Sequence, residues 1–167
     1  YVSSFYRILN EFDAPQFPTP DDAIRYYGEQ FDYDLTPYIQ YLDPGTENVS
    51  LVQFLTLQWI ICMEWYLEQA ESGIPVLPVC YKDLKTANET ILAGIFEHCG
   101  LPVEQVANTL PVFERDSQAD SPIARKNPKK GNQLQLSNQQ IQVIKDILAR
   151  HPVIKTTDYI IPGSLQA

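Results

Sequence analysis

The stretch from Ile74 to Pro102 constrains the fold more than any other part of this 167-residue chain. It opens with a short apolar run that has a β-branched bias, which predicts a buried strand. The run consists of Val76, Leu77, Val79 and Cys80. An amphipathic helix should follow, and together they would make a βα unit, in which ligands bind at the loop after the strand. We therefore expect any functional site near Tyr81.

Boundary signals define this helix. Thr86 stands three residues before Glu89, the spacing of a capping box, and Gly100 with Pro102 marks the other end. The residues that share its predicted apolar face are Ile91, Leu92, Ile95, Phe96 and Cys99. We expect one continuous helix between Thr86 and Gly100.

Similar signals predict further helices on either side. Ser50 should cap a long helix from Leu51 to about Ala70, and Ser137 with Gln140 forms a second capping box before a helix that ends near Arg150. Another helix should start at Pro102 and end near Pro111, and one helical turn is expected around residues 37–42. Apolar residues at helical spacing also predict a helix at the start of the chain. The fold class expected from these patterns is α/β, predominantly helical, with one or a few parallel strands.

The charge is distributed unevenly. Residues 1–71 hold 12 acidic and 2 basic side chains, whereas residues 72–167 hold 9 acidic and 10 basic ones. An acidic half argues against general nucleic-acid binding, which depends on neutralising phosphates with lysine and arginine. A local anion site in the second half stays open.

Cysteine and histidine usage bears on metal binding. Cys62, Cys80 and Cys99 lie in apolar segments, which favours buried free thiols over disulfides or metal ligands. His98 and His151 do not stand in a Cys/His spacing that zinc requires. We expect no metal site.

Targeting signals and membrane spans are not evident in the sequence. No basic segment precedes an apolar core of the signal-peptide type, and no apolar run approaches the roughly 20 residues of a membrane-spanning helix. The chain begins without methionine, in what reads as the interior of a helix, so we expect a fragment of a longer protein. The cellular compartment stays open.

Two polar segments suit anions. Ser4 lies near the start of the first predicted helix, where free backbone N–H groups favour negative charge, although an ordinary capping role is the commoner meaning of a serine there. Arg125 and Lys126 open a run of four cations that includes Lys129 and Lys130. Such a run binds phosphate or is simply solvated, and the pattern leaves both readings open.

Several segments resemble, in order, the sulfotransferases that use 3′-phosphoadenosine 5′-phosphosulfate. The segment from Val79 to Lys85, followed by a helix that ends in Cys99-Gly100-Leu101, resembles the strand, Tyr-Glu-Asp-Leu turn and helix of that family. The opening Ser4-Phe5-Tyr6-Arg7 is similar to its Ser-Tyr-Tyr helix. Ala124-Arg125-Lys126 resembles its late Arg-Lys-Gly motif. The resemblance implies that residues 1–167 are the C-terminal portion of a single P-loop-NTPase-like sulfotransferase domain.

The resemblance also implies roles for individual residues. Ser4, Arg125 and Lys126 would bind the 3′-phosphate of the nucleotide donor, and Tyr81 would border its adenosine. Charge-assisted hydrogen bonds to a phosphate are the physical reason for arginine and lysine in such positions. The partners implied are the donor, an acceptor hydroxyl or amine, and the N-terminal half of the same domain.

The chain also departs from the family pattern. Lys82 replaces the acidic residue after the tyrosine, and Asn127 replaces the glycine after Arg-Lys. The sequence has no glycine-rich phosphate loop, and the catalytic base and lysine of the family have no counterpart in it. We expect no catalytic residue within residues 1–167. The alternative to an enzyme fragment is a non-catalytic binding or structural protein that retains the sulfotransferase scaffold.

Overall fold

A computed structural model describes residues 2, 3, 6, 22, 25, 26, 29, 34–47, 49–115 and 136–166. These residues are predominantly helical. The α-helices among them are α1 (Leu51–Glu71), α2 (Tyr81–Thr86), α3 (Asn88–His98), α4 (Val106–Thr109) and α5 (Asn138–Arg150). The 3₁₀ helices are Thr36–Tyr41, Val103–Gln105 and Leu110–Glu114. The isolated residues described before residue 34 also have helical backbone.

The chain divides into two compact units. The first comprises Tyr1–Trp65 and Gly131–Tyr159, and the second comprises Tyr66–Lys130 and Ile160–Ala167. Each unit therefore contains two separate stretches of sequence.

Helix α1 begins where the sequence predicts. Ser50 and Gln53 form a reciprocal cap, in which the Gln53 backbone N–H donates to Ser50 Oγ at 3.3 Å and the Ser50 N–H donates to Gln53 Oε1 at 2.8 Å. These bonds satisfy two of the backbone donors that a helix start leaves open. The helix ends at Glu71, one residue beyond the predicted end.

The core of the first unit forms between α1, α5 and the segments next to them. Its most deeply buried apolar side chains are Leu35, Leu55, Ile60, Ile147, Leu148 and Ile154. The C-terminal end of α1 contributes little to this core, since Trp65 is 66% exposed. Burial instead concentrates in the first half of the helix, over residues that include Val52 and Leu57.

Helix α5 confirms its predicted boundaries. Ser137 Oγ accepts from the Gln140 backbone N–H at 3.2 Å, and Gln140 Oε1 accepts from the Ser137 N–H at 2.8 Å. Ile144, Ile147 and Leu148 are buried on one face, as their spacing requires. The cap therefore sets the helix start, and the apolar face fixes its packing within the first unit.

The strand predicted before Tyr81 is wrong as a regular element. Among the described residues, the run from Val76 to Cys80 forms only an isolated parallel bridge, between Val79 and Leu165. Pro75 and Pro78 lack backbone N–H groups, so this segment cannot build a continuous ladder of hydrogen bonds. The part of the chain that the structure describes contains no strand, and the α/β class is not established by it.

The capping box predicted at Thr86 is also wrong. A short helix, α2, already occupies residues 81–86, and Thr86 Oγ1 donates to the Lys82 carbonyl at 3.1 Å instead of capping α3. Helix α3 starts after Ala87, with no side-chain cap. Its predicted end is confirmed, since Gly100 has a φ of 66°, a left-handed conformation that favours glycine.

The single helix predicted between Pro102 and Pro111 is divided into three short pieces. A 3₁₀ turn leads into α4, and a second 3₁₀ helix starts at Leu110 with Pro111 in its first turn. Proline is tolerated there because first-turn N–H groups have no helical partner. The helical path therefore continues past the proline that was expected to end it.

Candidate functional site

The junction at Tyr81 is the one predicted site position that the structure describes. Cys80 has extended backbone (φ −73°, ψ 121°), and Tyr81 is the first residue of α2. The Cys80 carbonyl accepts the Leu84 N–H at 3.0 Å, which closes the first turn of that helix. The Tyr81 side chain is 63% exposed. The segment thus changes from extended to helical backbone with a large aromatic ring at the surface.

A lysine lies against this ring. The Nζ atom of Lys85 is 5.7 Å from the centroid of the Tyr81 ring, within the range of a cation–π interaction. At an exposed position such a contact is worth about 0.5–1 kcal/mol. Lys82 is exposed in the same short helix, and Asp83 lies in its first turn. An aromatic ring beside an ammonium group suits a ligand that is planar at one end and anionic at the other.

Residues from the end of the chain contact the segment before Tyr81. The Leu165 N–H donates to the Pro78 carbonyl at 3.0 Å, next to the bridge between Leu165 and Val79. The Leu165 side chain also lies over Gly94 of α3, where a Cβ atom would approach its Cδ1 to 2.9 Å. Both contacts lie within the second unit.

The other three predicted site residues are outside the described residues. Ser4, Arg125 and Lys126 have no described position, so the structure neither joins them to Tyr81 nor separates them from it. Their assignment to the 3′-phosphate remains a prediction.

A part-buried polar cluster in the first unit, centred on a buried histidine, was not predicted from the sequence. His151 is 1% exposed, and its Nε2 lies 2.8 Å from Glu64 Oε1. The other carboxylate oxygen, Oε2, accepts the Tyr38 hydroxyl at 2.5 Å. Glu64 therefore receives one hydrogen bond on each oxygen.

The second ring nitrogen of His151 is also engaged. Its Nδ1 lies 3.1 Å from the Val153 backbone nitrogen and 2.8 Å from that of Ile154, and both N–H groups point to it. An atom that accepts two N–H groups carries no proton of its own, so the hydrogen-bond network assigns the proton to Nε2, which donates to Glu64. With both nitrogens occupied and the ring buried, this histidine holds structure together and is not placed to meet a substrate.

Two titratable groups in the first unit, Tyr41 beside this cluster and the exposed Asp34, have displaced pKa values. Burial raises the pKa of the Tyr41 hydroxyl, and the negative charge of Glu64 raises it further. The Tyr41 ring lies 5.0 Å from the His151 ring, centroid to centroid. Hydrogen bonds from Thr36 lower the pKa of Asp34, whose Oδ1 accepts the Thr36 backbone N–H at 2.9 Å.

No local spacing signal identifies the cluster, because its members are far apart in sequence. Tyr38, Glu64 and His151 come from a 3₁₀ helix, from α1 and from the residue after α5, respectively. The sequence offers one indirect hint, since Glu64 interrupts an otherwise apolar helical segment. A charge in such a position needs a partner when it is part-buried.

The three cysteines are less buried than the sequence predicts. Cys62 and Cys80 are half-buried and Cys99 is exposed. Among the described residues, no three His, Cys, Asp or Glu side chains are grouped closely enough to hold a metal ion. No helix in the described ranges is long and apolar enough to cross a membrane.

The chain was compared with known proteins in three ways. Family models, curated proteins and solved structures all gave no match to the chain.

Proposed function

We propose that the chain is the C-terminal part of an α/β, P-loop-like sulfotransferase domain that uses 3′-phosphoadenosine 5′-phosphosulfate. The full-length protein would transfer a sulfuryl group to an acceptor hydroxyl or amine. The observation that carries the proposal is the position of Tyr81, an exposed aromatic residue where an extended segment enters a helix, with the Lys85 ammonium over its ring. The order of the sequence motifs around it supports the same reading.

In the proposed complex, different residues bind the adenosine and the 3′-phosphate of the nucleotide. Tyr81 borders the adenosine, where a purine can stack on an aromatic face. Arg125 and Lys126 bind the 3′-phosphate, and Ser4 adds a hydroxyl contact to it; these three roles rest on the resemblance. Arginine suits this task because its planar guanidinium forms paired hydrogen bonds with phosphate oxygens.

The phosphosulfate end of the donor has no proposed ligand in residues 1–167. Sulfuryl transfer resembles phosphoryl transfer in that donor and acceptor oxygens must be held in line while developing charge is stabilised. Because this sequence contains no glycine-rich phosphate loop, the proposal assigns that task to the N-terminal half of the domain. Residues 1–167 supply donor binding and no catalytic group.

A calorimetric titration with adenosine 3′,5′-bisphosphate tests donor binding, and adenosine 5′-monophosphate tests the need for the 3′-phosphate. The wild-type protein should bind the bisphosphate more tightly. Tyr81→Ala should weaken binding of both nucleotides by about tenfold, the loss expected for one base–aromatic stack. If the wild-type protein binds neither nucleotide, the proposal is overturned.

A charge-matched pair of variants separates specific phosphate binding from general attraction. Arg125→Ala/Lys126→Ala should remove the preference for the bisphosphate, whereas Lys129→Ala/Lys130→Ala removes the same charge nearby and should retain the preference. If both double variants lose the preference for the bisphosphate equally, the four cations from Arg125 to Lys130 act only through their net charge.

The alternative is a non-catalytic protein that retains the scaffold, and absence of a phosphate loop from the full-length protein would favour it. Intact mass and N-terminal sequencing of the natural protein distinguish the two. An upstream glycine-rich loop that carries a lysine supports the enzyme, and a natural start near Tyr1 supports the non-catalytic protein. A sulfate-transfer assay then follows in the first case.

A further inference from the structure

We propose that the C-terminal segment from Ile161 to Gln166, here called the strap, holds the backbone at Tyr81 in place, and that Leu165 is its positioning residue. The importance of the strap for ligand binding rests on the proposed function, whereas its contacts with the segment before Tyr81 are independent of that function. All of its parts lie within the second unit.

The strap first acts through the backbone. The Leu165 N–H donates to the Pro78 carbonyl at 3.0 Å, and Leu165 forms a parallel bridge with Val79. Tyr81 follows Val79 by two residues, and the intervening Cys80 carbonyl accepts the first-turn N–H of Leu84. Because no strand is present among the described residues, this bridge is the β-type contact that restrains the extended segment from which α2 starts.

The strap acts secondly through the Leu165 side chain, which occupies the space beside Gly94. A Cβ atom on residue 94 would lie 2.9 Å from Leu165 Cδ1 and 3.0 Å from Cδ2, closer than carbon atoms approach without a shift. Glycine is a poor residue for the interior of a helix such as α3. In this structure the space that a side chain at position 94 would fill is occupied by Leu165.

A tight turn directs Leu165 to this position. Gly163 has a φ of 81°, in the left-handed region that favours glycine. The Ile161 carbonyl accepts both the Ser164 N–H at 3.1 Å and the Ser164 hydroxyl at 2.6 Å. The turn therefore sets the direction in which Leu165 leaves it.

Two glycines provide a matched test of the turn. Gly73 and Gly163 both have a φ of 81°, and a Cβ atom on either would meet nothing within 4 Å. Gly163→Ala and Gly73→Ala therefore add a similar backbone strain to the second unit, but only the first strains the strap. Urea unfolding of both variants should show comparable losses of stability.

Local opening at Tyr81 is then measured by two methods. Amide hydrogen exchange reports on a peptide that covers residues 79–87. Alkylation by iodoacetamide reports on Cys80, which is half-buried, with the exposed Cys99 as the internal reference. In Gly163→Ala both signals should rise about fivefold over wild type, and in Gly73→Ala both should stay at the wild-type level.

Substitutions at Leu165 test the side chain. Leu165→Ala should raise exchange over residues 79–87, and Leu165→Met, which retains most of the buried volume, should restore it to near the wild-type value. Gly94→Val should resemble Leu165→Ala, because the added methyl groups displace the leucine. If amide exchange over residues 79–87 is unchanged in both Leu165→Ala and Gly163→Ala, the proposed role of the strap is wrong.

Titration of the same variants with adenosine 3′,5′-bisphosphate tests whether the strap affects nucleotide binding at Tyr81. Affinity should fall about fivefold in Gly163→Ala and Leu165→Ala and recover in Leu165→Met. If the wild-type protein binds no nucleotide while amide exchange over residues 79–87 rises in the variants as expected, the proposed function is wrong. The structural role of the strap is then still supported. If the wild-type protein binds and neither variant changes affinity, the positioning role of Leu165 is overturned.

Discussion

His151 Nε2 and Glu64 Oε1 lie 2.8 Å apart and join the residue after α5 to helix α1, although 87 positions separate them in the sequence. The imidazole is buried, and its other nitrogen accepts two backbone N–H groups. A buried polar ring is stable only when its hydrogen bonds are satisfied, and here both nitrogens have partners. This pair therefore connects two distant parts of the first unit's chain.

Replacement of His151 by alanine should destabilise the first unit by about 3 kcal/mol, because it leaves Glu64 Oε1, the part-buried Val153 N–H and the buried Ile154 N–H without their partner. Urea unfolding measures the loss. His98→Ala is the control, since His98 is exposed and its Nε2 lies 3.3 Å from the Pro75 carbonyl oxygen; its effect should stay within about 0.5 kcal/mol. Similar losses in the two variants would contradict the structural role of His151.

The His151 ring should be observed as the tautomer that carries its proton on Nε2. The two N–H groups that converge on Nδ1 leave no room for a hydrogen there. Two-bond ¹H–¹⁵N correlation spectra near neutral pH should show Nδ1 at the shift of an unprotonated nitrogen and Nε2 at that of a protonated one. The reverse pattern would show that the assigned network is wrong.

Alkaline pH should weaken the folded state through Tyr41. Burial raises the pKa of its hydroxyl, and the Glu64 charge adds to the effect, so the folded protein favours the neutral phenol more than the unfolded chain does. This contribution is complete below the unfolded value of about 10 and is lost as pH rises through the raised folded pKa. Stability differences between wild type and Tyr41→Phe, measured from about pH 9 upwards, should shift in favour of the variant above about pH 10. A difference that does not vary with pH would contradict the raised pKa.

Loss of the α5 cap should cost about 1 kcal/mol. Ser137→Ala removes the acceptor for the Gln140 N–H, whereas Ser137→Asp keeps an acceptor and adds a negative charge at the positive end of the helix dipole. Urea unfolding should therefore show destabilisation in the first variant and little change in the second. Equal stabilities of wild type and Ser137→Ala would show that this cap does not contribute.

The sequence predicted those parts of the fold that depend on neighbouring residues. Ser50 and Ser137 each begin a helix with a glutamine three positions later, and the geometry of a helix start brings these side chains to the first backbone N–H groups. Gly100 ends α3 for a similarly local reason, a left-handed backbone that glycine adopts without strain. Such features are visible in the sequence because a few consecutive residues contain all the partners.

The strand before Tyr81 was predicted from composition and was not formed, because a strand needs a neighbouring chain to supply its hydrogen bonds. Pro75 and Pro78 remove donors, and among the described residues Leu165 supplies the single parallel bridge. The apolar run at Val76 is half-buried, so it indicated partial burial but not hydrogen-bond pairing. Of the predicted site, Tyr81 lies at a junction between extended and helical backbone, where the sequence predicted a loop after a strand, whereas Ser4, Arg125 and Lys126 lie outside the described residues.

The sequence by itself determined the long helices α1 and α5, the end of α3 and the uneven charge, since each follows from residue types at short range. Only the tertiary structure decided which apolar face of α1 is buried, that His151 and Glu64 form a pair, and that Leu165 lies against Gly94. The physical reason is that these contacts join residues tens of positions apart. Their free energy depends on packing and on satisfied hydrogen bonds, which no local pattern of residues specifies.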